Sequence, residues 1–222
     1  MKVTKKILVA TMAALLLVAA EARAGIYTPD TGTGGPITSG VGLASTITSS
    51  GFLGNIGSLT VTLDISGGNN GDLYGYLSYN GVLVTILNRP GTSLSNPFGN
   101  SGSGYYVTLT DLGGANLNSI NGTFGSQVSG TYNVNGTAGN GSLAFSSAYN
   151  GMDPNGVWTL YLENGVSGGD PSMLVSWSIG INAVPEPTNV AMGIFGVCAI
   201  AGRVRAGWKK SRAAAKQLDA PK

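Results

Sequence analysis

Few residue types in this 222-residue chain could carry chemistry. Histidine is absent throughout, and cysteine and lysine are absent between Gly25 and Ala183. A Ser-His-Asp or Cys-His arrangement therefore lacks its base, a Ser-Lys dyad lacks its lysine, and a zinc site lacks its usual nitrogen and sulfur donors. What remains in that stretch is Asp30, Asp64, Asp72, Asp111, Asp153, Glu163 and Asp170. Paired carboxylates can hydrolyse glycosides when held at a fixed separation. These seven are scattered among turn-forming residues with no pair marked out, so the expectation is a chain without catalysis of its own. Oxygen-rich turns offer a second chemistry. Asp64, Asn69, Asn70 and Asp72 surround one Gly-rich turn, and Asp153, Asn155, Glu163 and Asp170 form another set, which makes Asp64, Asp72, Asp153 and Asp170 candidate calcium ligands. Their spacing is not that of an EF-hand, and Asp and Asn in such turns also serve by bonding backbone amides.

Charge is segregated along the chain. Between Gly25 and Ala183 a single cation, Arg89, stands against the seven carboxylates, while the remaining Lys and Arg residues lie at the two ends. A phosphate-binding surface needs clustered basic residues, so nucleic-acid binding is excluded for the middle segment.

The ends read as addresses. Lys2, Lys5 and Lys6 precede an apolar run from Ile7 to Ala20, followed by Ala22-Arg23-Ala24, the small-x-small pattern that signal peptidase cleaves before Gly25. The other reading, a transmembrane anchor, asks for roughly 20 apolar residues, and this run is shorter. The C-terminal end carries Val184-Pro185-Glu186-Pro187, an apolar stretch from Val190 to Gly202, and a basic cluster of Arg203, Arg205, Lys209, Lys210 and Arg212. Prolines end the preceding strand, the apolar stretch suits a membrane helix, and the basic finish stays on the cytoplasmic side. This order resembles the PEP-CTERM sorting signal of exported proteins in Gram-negative bacteria. The resemblance implies recognition by an exosortase, removal of the tail, and delivery to the cell surface or an exopolysaccharide matrix. The apolar run is short, and Ser211 to Lys222 extends past the basic cluster, so a plain C-terminal anchor is the alternative. Cys198 reads as a small apolar residue of that segment, with lipidation as the alternative.

Between the ends, the residues point to strands. In Ser58 to Ile65 the positions Leu59, Val61, Leu63 and Ile65 alternate with Thr60, Thr62 and Asp64, the period of two expected of a half-buried strand. The Gly67 to Asp72 cluster then predicts a turn. Leu73 to Leu77 and Val82 to Leu87 form a predicted hairpin around Asn80-Gly81, a dipeptide suited to a type I′ turn. Tyr105 to Leu109, Val157 to Leu162 and Leu174 to Ile181 repeat the pattern without helical periodicity. The fold class expected is all-β, an antiparallel sandwich.

Particular spacings then narrow the reading. Gly71-Asp72-Leu73, Leu87-Asn88-Arg89-Pro90-Gly91, Gly156-Val157-Trp158-Thr159-Leu160, and Asp170 followed by Leu174 and Trp177 occur in an order that resembles the P domain, or Homo B domain, of subtilisin-like proprotein convertases. The resemblance covers about residues 35 to 182 and implies a jelly-roll-like β-sandwich. In that family the module accompanies a separate catalytic domain, so a serine-peptidase label would describe the neighbour and not this chain. Two departures stand out: no histidine precedes the Gly-Asp-Leu element, and Ser78-Tyr79-Asn80-Gly81 replaces a Ser-Pro-x-Gly turn. Trp158 and Trp177 are expected to fill the core, each indole N–H finding a carbonyl; exposed sugar-stacking platforms are the alternative. The organisation expected is therefore a signal peptide over 1–24, a sandwich over 25–183 and a sorting signal over 184–222.

Three functions compete at this point. The first is a structural or adhesive component of the surface matrix. The second is an accessory module for a separately encoded secreted protease. The third is a carbohydrate-binding module that uses Tyr74, Tyr76, Tyr79, Tyr105 and Tyr106 against matrix polysaccharide. Calcium is the candidate cofactor, and signal peptidase and an exosortase are the processing partners.

Overall fold

The computed structural model describes residues 31–134 and 144–185, together with Phe195, Gly196, Arg203 and Gly207. The signal-cleavage residues Ala22, Ala24 and Gly25, the motif residues Glu186 and Pro187, and the apolar and basic tail apart from those four residues lie outside this description. Phe195, Gly196, Arg203 and Gly207 have helical backbone, and among the described residues no helix is long and apolar enough to cross a membrane. The strands fall in the compact unit Ala24–Val184, apart from the last residue of the final strand, Pro185, which is grouped with Met1–Arg23 and the rest of Pro185–Lys222 in a second unit.

The alternating segments become strands with their apolar sides inward. In chain order they are β1 (Gly35–Ile37), β2 (Leu43–Ser49), β3 (Gly54–Gly67), β4 (Leu73–Tyr79), β5 (Val82–Asn88), β6 (Gly104–Thr110), β7 (Val128–Tyr132), the one-turn helix α1 (Phe145–Tyr149), β8 (Gly156–Asn164) and β9 (Ser172–Pro185). They build a five-stranded sheet in the order β1-β9-β3-β6-β7 and a four-stranded sheet in the order β2-β8-β4-β5. β4–β5 and β6–β7 are the sequential strand pairs that share a sheet, so most connections cross between the two layers, as in sandwiches generally. Leu63 and Ile65 of β3, Val107 of β6 and Ile179 of β9 are buried in one layer, and Leu77, Val84 and Leu160 in the other. Together they belong to one continuous core.

The β4–β5 hairpin turns at Asn80 and Gly81, with φ of 49° and 78°. Positive φ at both central residues is the type I′ geometry that the Asn-Gly dipeptide predicts. The hairpin carries one irregularity: Gly75 pairs with Leu87 and Tyr76 with Thr85, so Ile86 is the extra residue of a bulge, and both Ile86 and Leu87 are buried.

Three features differ from the sequence expectation. β6 and β7 pair in parallel, because the intervening segment with its short 3-10 turn at Leu117–Ser119 brings the chain back to start again beside Tyr105. The short helix α1 sits between β7 and β8, where no helical period is legible. β9 does not stop at Ile181 but continues through Val184 to Pro185, the first proline of the sorting motif. A proline is tolerated at a strand end, where its missing N–H leaves the ladder intact.

Candidate functional site

The motif residues that define the sequence pattern are spent inside the sandwich. Trp158 and Trp177 are 0% and 1% exposed. Trp158 stacks on Tyr79 at a centroid distance of 3.9 Å and meets the edge of Tyr149 at 5.2 Å. Neither indole reaches a carbonyl directly, contrary to expectation. Trp158 Nε1 donates to Ser49 Oγ (3.1 Å), and the Ser49 hydroxyl in turn donates to the carbonyl of Pro154. Trp177 Nε1 donates to Ser45 Oγ (2.8 Å), which donates to the Thr33 carbonyl (2.6 Å). Ser45 and Ser49 both point inward from β2, so two hydroxyls act as relays from the tryptophans to the backbone. A buried donor left without a partner is costly, which gives these serines a place in the core. Buried in this way, neither tryptophan is a stacking platform.

Leu73, Leu160 and Leu174 are core residues. Leu174 and Trp177 lie three apart yet both face inward, so the strand alternation resets between them. Gly71 is a place of close approach: a Cβ there would lie 2.0 Å from the Phe98 carbonyl oxygen. Its own carbonyl accepts from Arg89 Nε (3.2 Å), and Arg89 Nη2 also donates to the Pro97 carbonyl (3.2 Å). The lone cation of the middle segment is thus committed to backbone oxygens. Gly156 sits against the ring of Tyr79, whose hydroxyl donates to the carbonyls of Asp153 (2.5 Å) and Asn155 (3.0 Å).

The carboxylates do not gather as the sequence sets suggest. Asp64 is on the outward side of β3 and accepts from Gln127 Nε2 (3.3 Å). Asp153 closes a local turn by accepting from the backbone N–H of Asn155 (2.9 Å), at the start of β8. Glu163 is at the other end of that nine-residue strand, more than about 20 Å away. Asp72, buried in the 3-10 turn at Asn70–Asp72, feels Asp170 electrostatically. Burial raises the Asp72 pKa above the usual 3.8, Arg89 and a hydrogen bond from Asn69 oppose this, and Asp170 adds to it. Among the described residues no group of three or more His, Cys, Asp or Glu is placed to hold a metal ion. Asp111, outside either sequence set, accepts from the N–H groups of Phe145 (2.8 Å) and Ser146 (2.6 Å) and so holds the start of α1.

Two features escaped the sequence reading. At the end of the sandwich where β9 begins, Asn100 and Asn70, both fully buried, knit three loops together. Asn70 exchanges hydrogen bonds with Gly104 at 2.9 and 2.7 Å, and Asn100 Nδ2 donates to the Ile120 carbonyl (2.8 Å) while its Oδ1 accepts from Gly102 N (2.8 Å). Leu94, Phe98 and Phe124 are exposed on these cross-linked loops. The second feature is on the outward face of the four-stranded sheet. Tyr76 lies opposite Tyr161 across the β4–β8 pair, with ring centroids 6.3 Å apart, and Tyr74 lies opposite Glu163. Tyr79 and Tyr105, two of the tyrosines considered for sugar contact, are buried, whereas Tyr106 is exposed on the other sheet.

No family model matches the chain, and no curated protein matches it. Among solved structures, a chain of the Aeromonas sobria serine protease (ASP) and chaperone (ORF2) complex is similar, at 14% identity and a TM-score of 0.39. The match covers 77% of this chain and 29% of that one, and at this level it carries no functional argument.

Proposed function

We propose that this chain is an exported, non-catalytic β-sandwich module of a Gram-negative bacterium, sorted to the cell surface or exopolysaccharide matrix, where it acts as a structural or adhesive component. The observation that carries the reading is the use made of its polar motif residues. Both tryptophans, Ser45, Ser49, Asn70 and Asn100 are turned inward to support the fold, and what is presented outward is broad sheet surface and loop tips. That distribution suits binding over turnover. The signal-like N-terminus and the Val184-Pro185-Glu186-Pro187 motif with its apolar and basic tail support export and sorting. Because β9 runs to Pro185, cutting after the motif would spare the strand.

Intact mass and cell fraction of the protein in its native host test the proposal. The expected species begins at Gly25, ends near Pro187, and is found at the surface or outside. Changing Pro185, Glu186 and Pro187 together to alanine should leave the full tail in the membrane fraction; unchanged processing and release of that variant would refute exosortase sorting.

A second reading, an accessory P-domain module for a separately encoded subtilisin-like protease, is favoured by one observation. Exposed Leu94, Phe98 and Phe124 stand on hydrogen-bonded loops, and exposed apolar groups on a fixed scaffold suit a protein partner. Pull-down from native cells should then recover a peptidase, and Phe98→Ser should abolish its recovery.

A further inference from the structure

We propose that the outward face of the four-stranded sheet binds a neutral polysaccharide, with Tyr74, Tyr76 and Tyr161 as the stacking surface. The inference rests on the matrix-module reading and names its ligand class and site.

The placement of the rings comes first. Tyr76 and Tyr161 are directly paired across β4 and β8, and Tyr74 follows on the same face of β4 two residues earlier. Two of the rings are laid over glycines. A Cβ on Gly42 would fall 2.3 to 2.8 Å from the hydroxyl and ring atoms of Tyr161, and one on Gly165 would fall 2.5 to 2.9 Å from ring atoms of Tyr74. Both rings thus pack against the backbone at a glycine, and the Tyr76 and Tyr161 planes are inclined to each other by 39°. Tyr161 is held further by its hydroxyl, which donates to Glu163 Oε2 (3.1 Å), while Glu163 Oε1 accepts from the Gly40 N–H (3.3 Å). Tyr74 and Tyr161, both half-buried, are therefore held before any ligand arrives, which reduces the ordering cost of binding.

Chemistry around the rings selects the ligand. Ser78 and Thr159 form the next cross-strand row, and Asn88 flanks Tyr74 from β5, so hydroxyl and amide groups border the aromatic surface. Flat aromatic faces suit the C–H faces of pyranose rings, and the bordering groups suit their hydroxyls. Charge argues for a neutral chain. Arg89 is the single cation between Gly25 and Ala183, with its Nε and Nη2 engaged by the Gly71 and Pro97 carbonyls, so the segment offers no cluster of cations to pair the repeated charges of a uronate or sulfate chain. Glu163 beside Tyr161 would repel either.

Affinity electrophoresis of the processed protein tests this, using native gels containing a soluble β-glucan, a galactomannan, dextran or alginate. Retardation is expected in at least one neutral gel and not in alginate. Tyr76→Ala and Tyr161→Ala should each weaken it about tenfold, the loss expected of an aromatic anchor. Tyr106→Ala, on the other sheet, should leave it unchanged. Ser78→Arg lays a long side chain over the neighbouring ring faces without removing a ring and should block binding in a folded protein, which covers the case in which an alanine variant unfolds. Absence of retardation in all three neutral gels overturns the proposal, as does binding indifferent to Tyr76→Ala and Ser78→Arg. Concentration-dependent dimerisation lost in Tyr76→Ala would also overturn it and assign the face to a second copy. Mass and cell fraction report sorting separately, so a protein that is sorted but binds no neutral glycan refutes this site and leaves the exported-module reading standing.

Discussion

Replacing Ser49 with alanine removes one oxygen and leaves two buried groups without a partner. The Trp158 N–H loses its acceptor, and the Pro154 carbonyl loses its donor. Trp158 is fully buried and Pro154 is buried too, so water cannot replace the lost bonds without opening the core. Each orphaned group costs about 1–3 kcal/mol, so Ser49→Ala should lower stability by about 2–6 kcal/mol. Ser45→Ala is the graded comparison. It orphans the Trp177 N–H, but Thr33 is exposed and its carbonyl can turn to solvent, so the loss should be about 1–3 kcal/mol. Urea denaturation of the wild type and both variants measures the difference, with Ser129→Ala on exposed β7 as control. A double-mutant cycle of Ser49→Ala with Trp158→Phe should show coupling of at least about 0.5 kcal/mol. Refutation would be a Ser49→Ala loss within about 0.5 kcal/mol of the Ser129→Ala control, the range of ordinary surface substitutions.

Further expectations follow from other parts of the fold. Gly81→Ala meets no neighbour within 4 Å but must hold φ near 78°, so it should cost about 1–2 kcal/mol in urea denaturation, while Asn80→Gly should be tolerated. The phenols of Tyr79, Tyr105 and Tyr149 are all raised above the usual 10.0, chiefly by burial. A raised folded pKa means that stability falls as pH climbs above about 10, and absorbance titration should show these phenols ionising late, together with loss of near-ultraviolet dichroism. For Asp72 the folded pKa is also raised, so its ionised form carries a penalty above that pKa which disappears as pH falls toward 3.8. Asp72→Asn should therefore stabilise the protein more at pH 7 than near pH 4 in paired denaturation curves. Asn100→Ala should speed amide exchange in the loops around Gly102 and Ile120 before it affects β3 or β8.

What could be read from the sequence depended on contrast between neighbouring positions. β3, β4, β5, β6 and β8 alternate apolar with polar residues, so their existence and facing were visible. β2, Leu-Ala-Ser-Thr-Ile-Thr-Ser, has little contrast because its inward residues include Ser45 and Ser49, and these are polar in order to receive the tryptophans. β7 buries Val128 and half-buries Tyr132, too little to mark a period, and its parallel pairing depends on a return path no local pattern encodes. The Leu174-x-x-Trp177 spacing was a usable signal: an odd separation of two large apolar residues within one strand implies a reset of the alternation. Of the candidate site, Tyr74 and Tyr76 stand in the sequence beside Tyr79 and Tyr105, which the fold buries, and Tyr161 joins them only through the β4–β8 register, which no local pattern encodes. The rows of Asn and Gly looked like generic turns, and nothing in their local sequence separates Asn100, fully buried, from an exposed neighbour such as Asn121.

The length and position of β9 have a mechanical meaning. Its 14 residues lie between β1 and β3 in the five-stranded sheet, and the chain leaves at the Pro185 end. A tension applied through that end acts along the strand axis, across hydrogen bonds to β3 that run perpendicular to it, with β1 bonded beside the far end at Ser172–Leu174. The bonds must then slide together in shear, whereas a hairpin pulled at its two open ends would unzip one bond at a time. Its C-terminal strand therefore gives this sandwich the geometry of a tether that resists being drawn out.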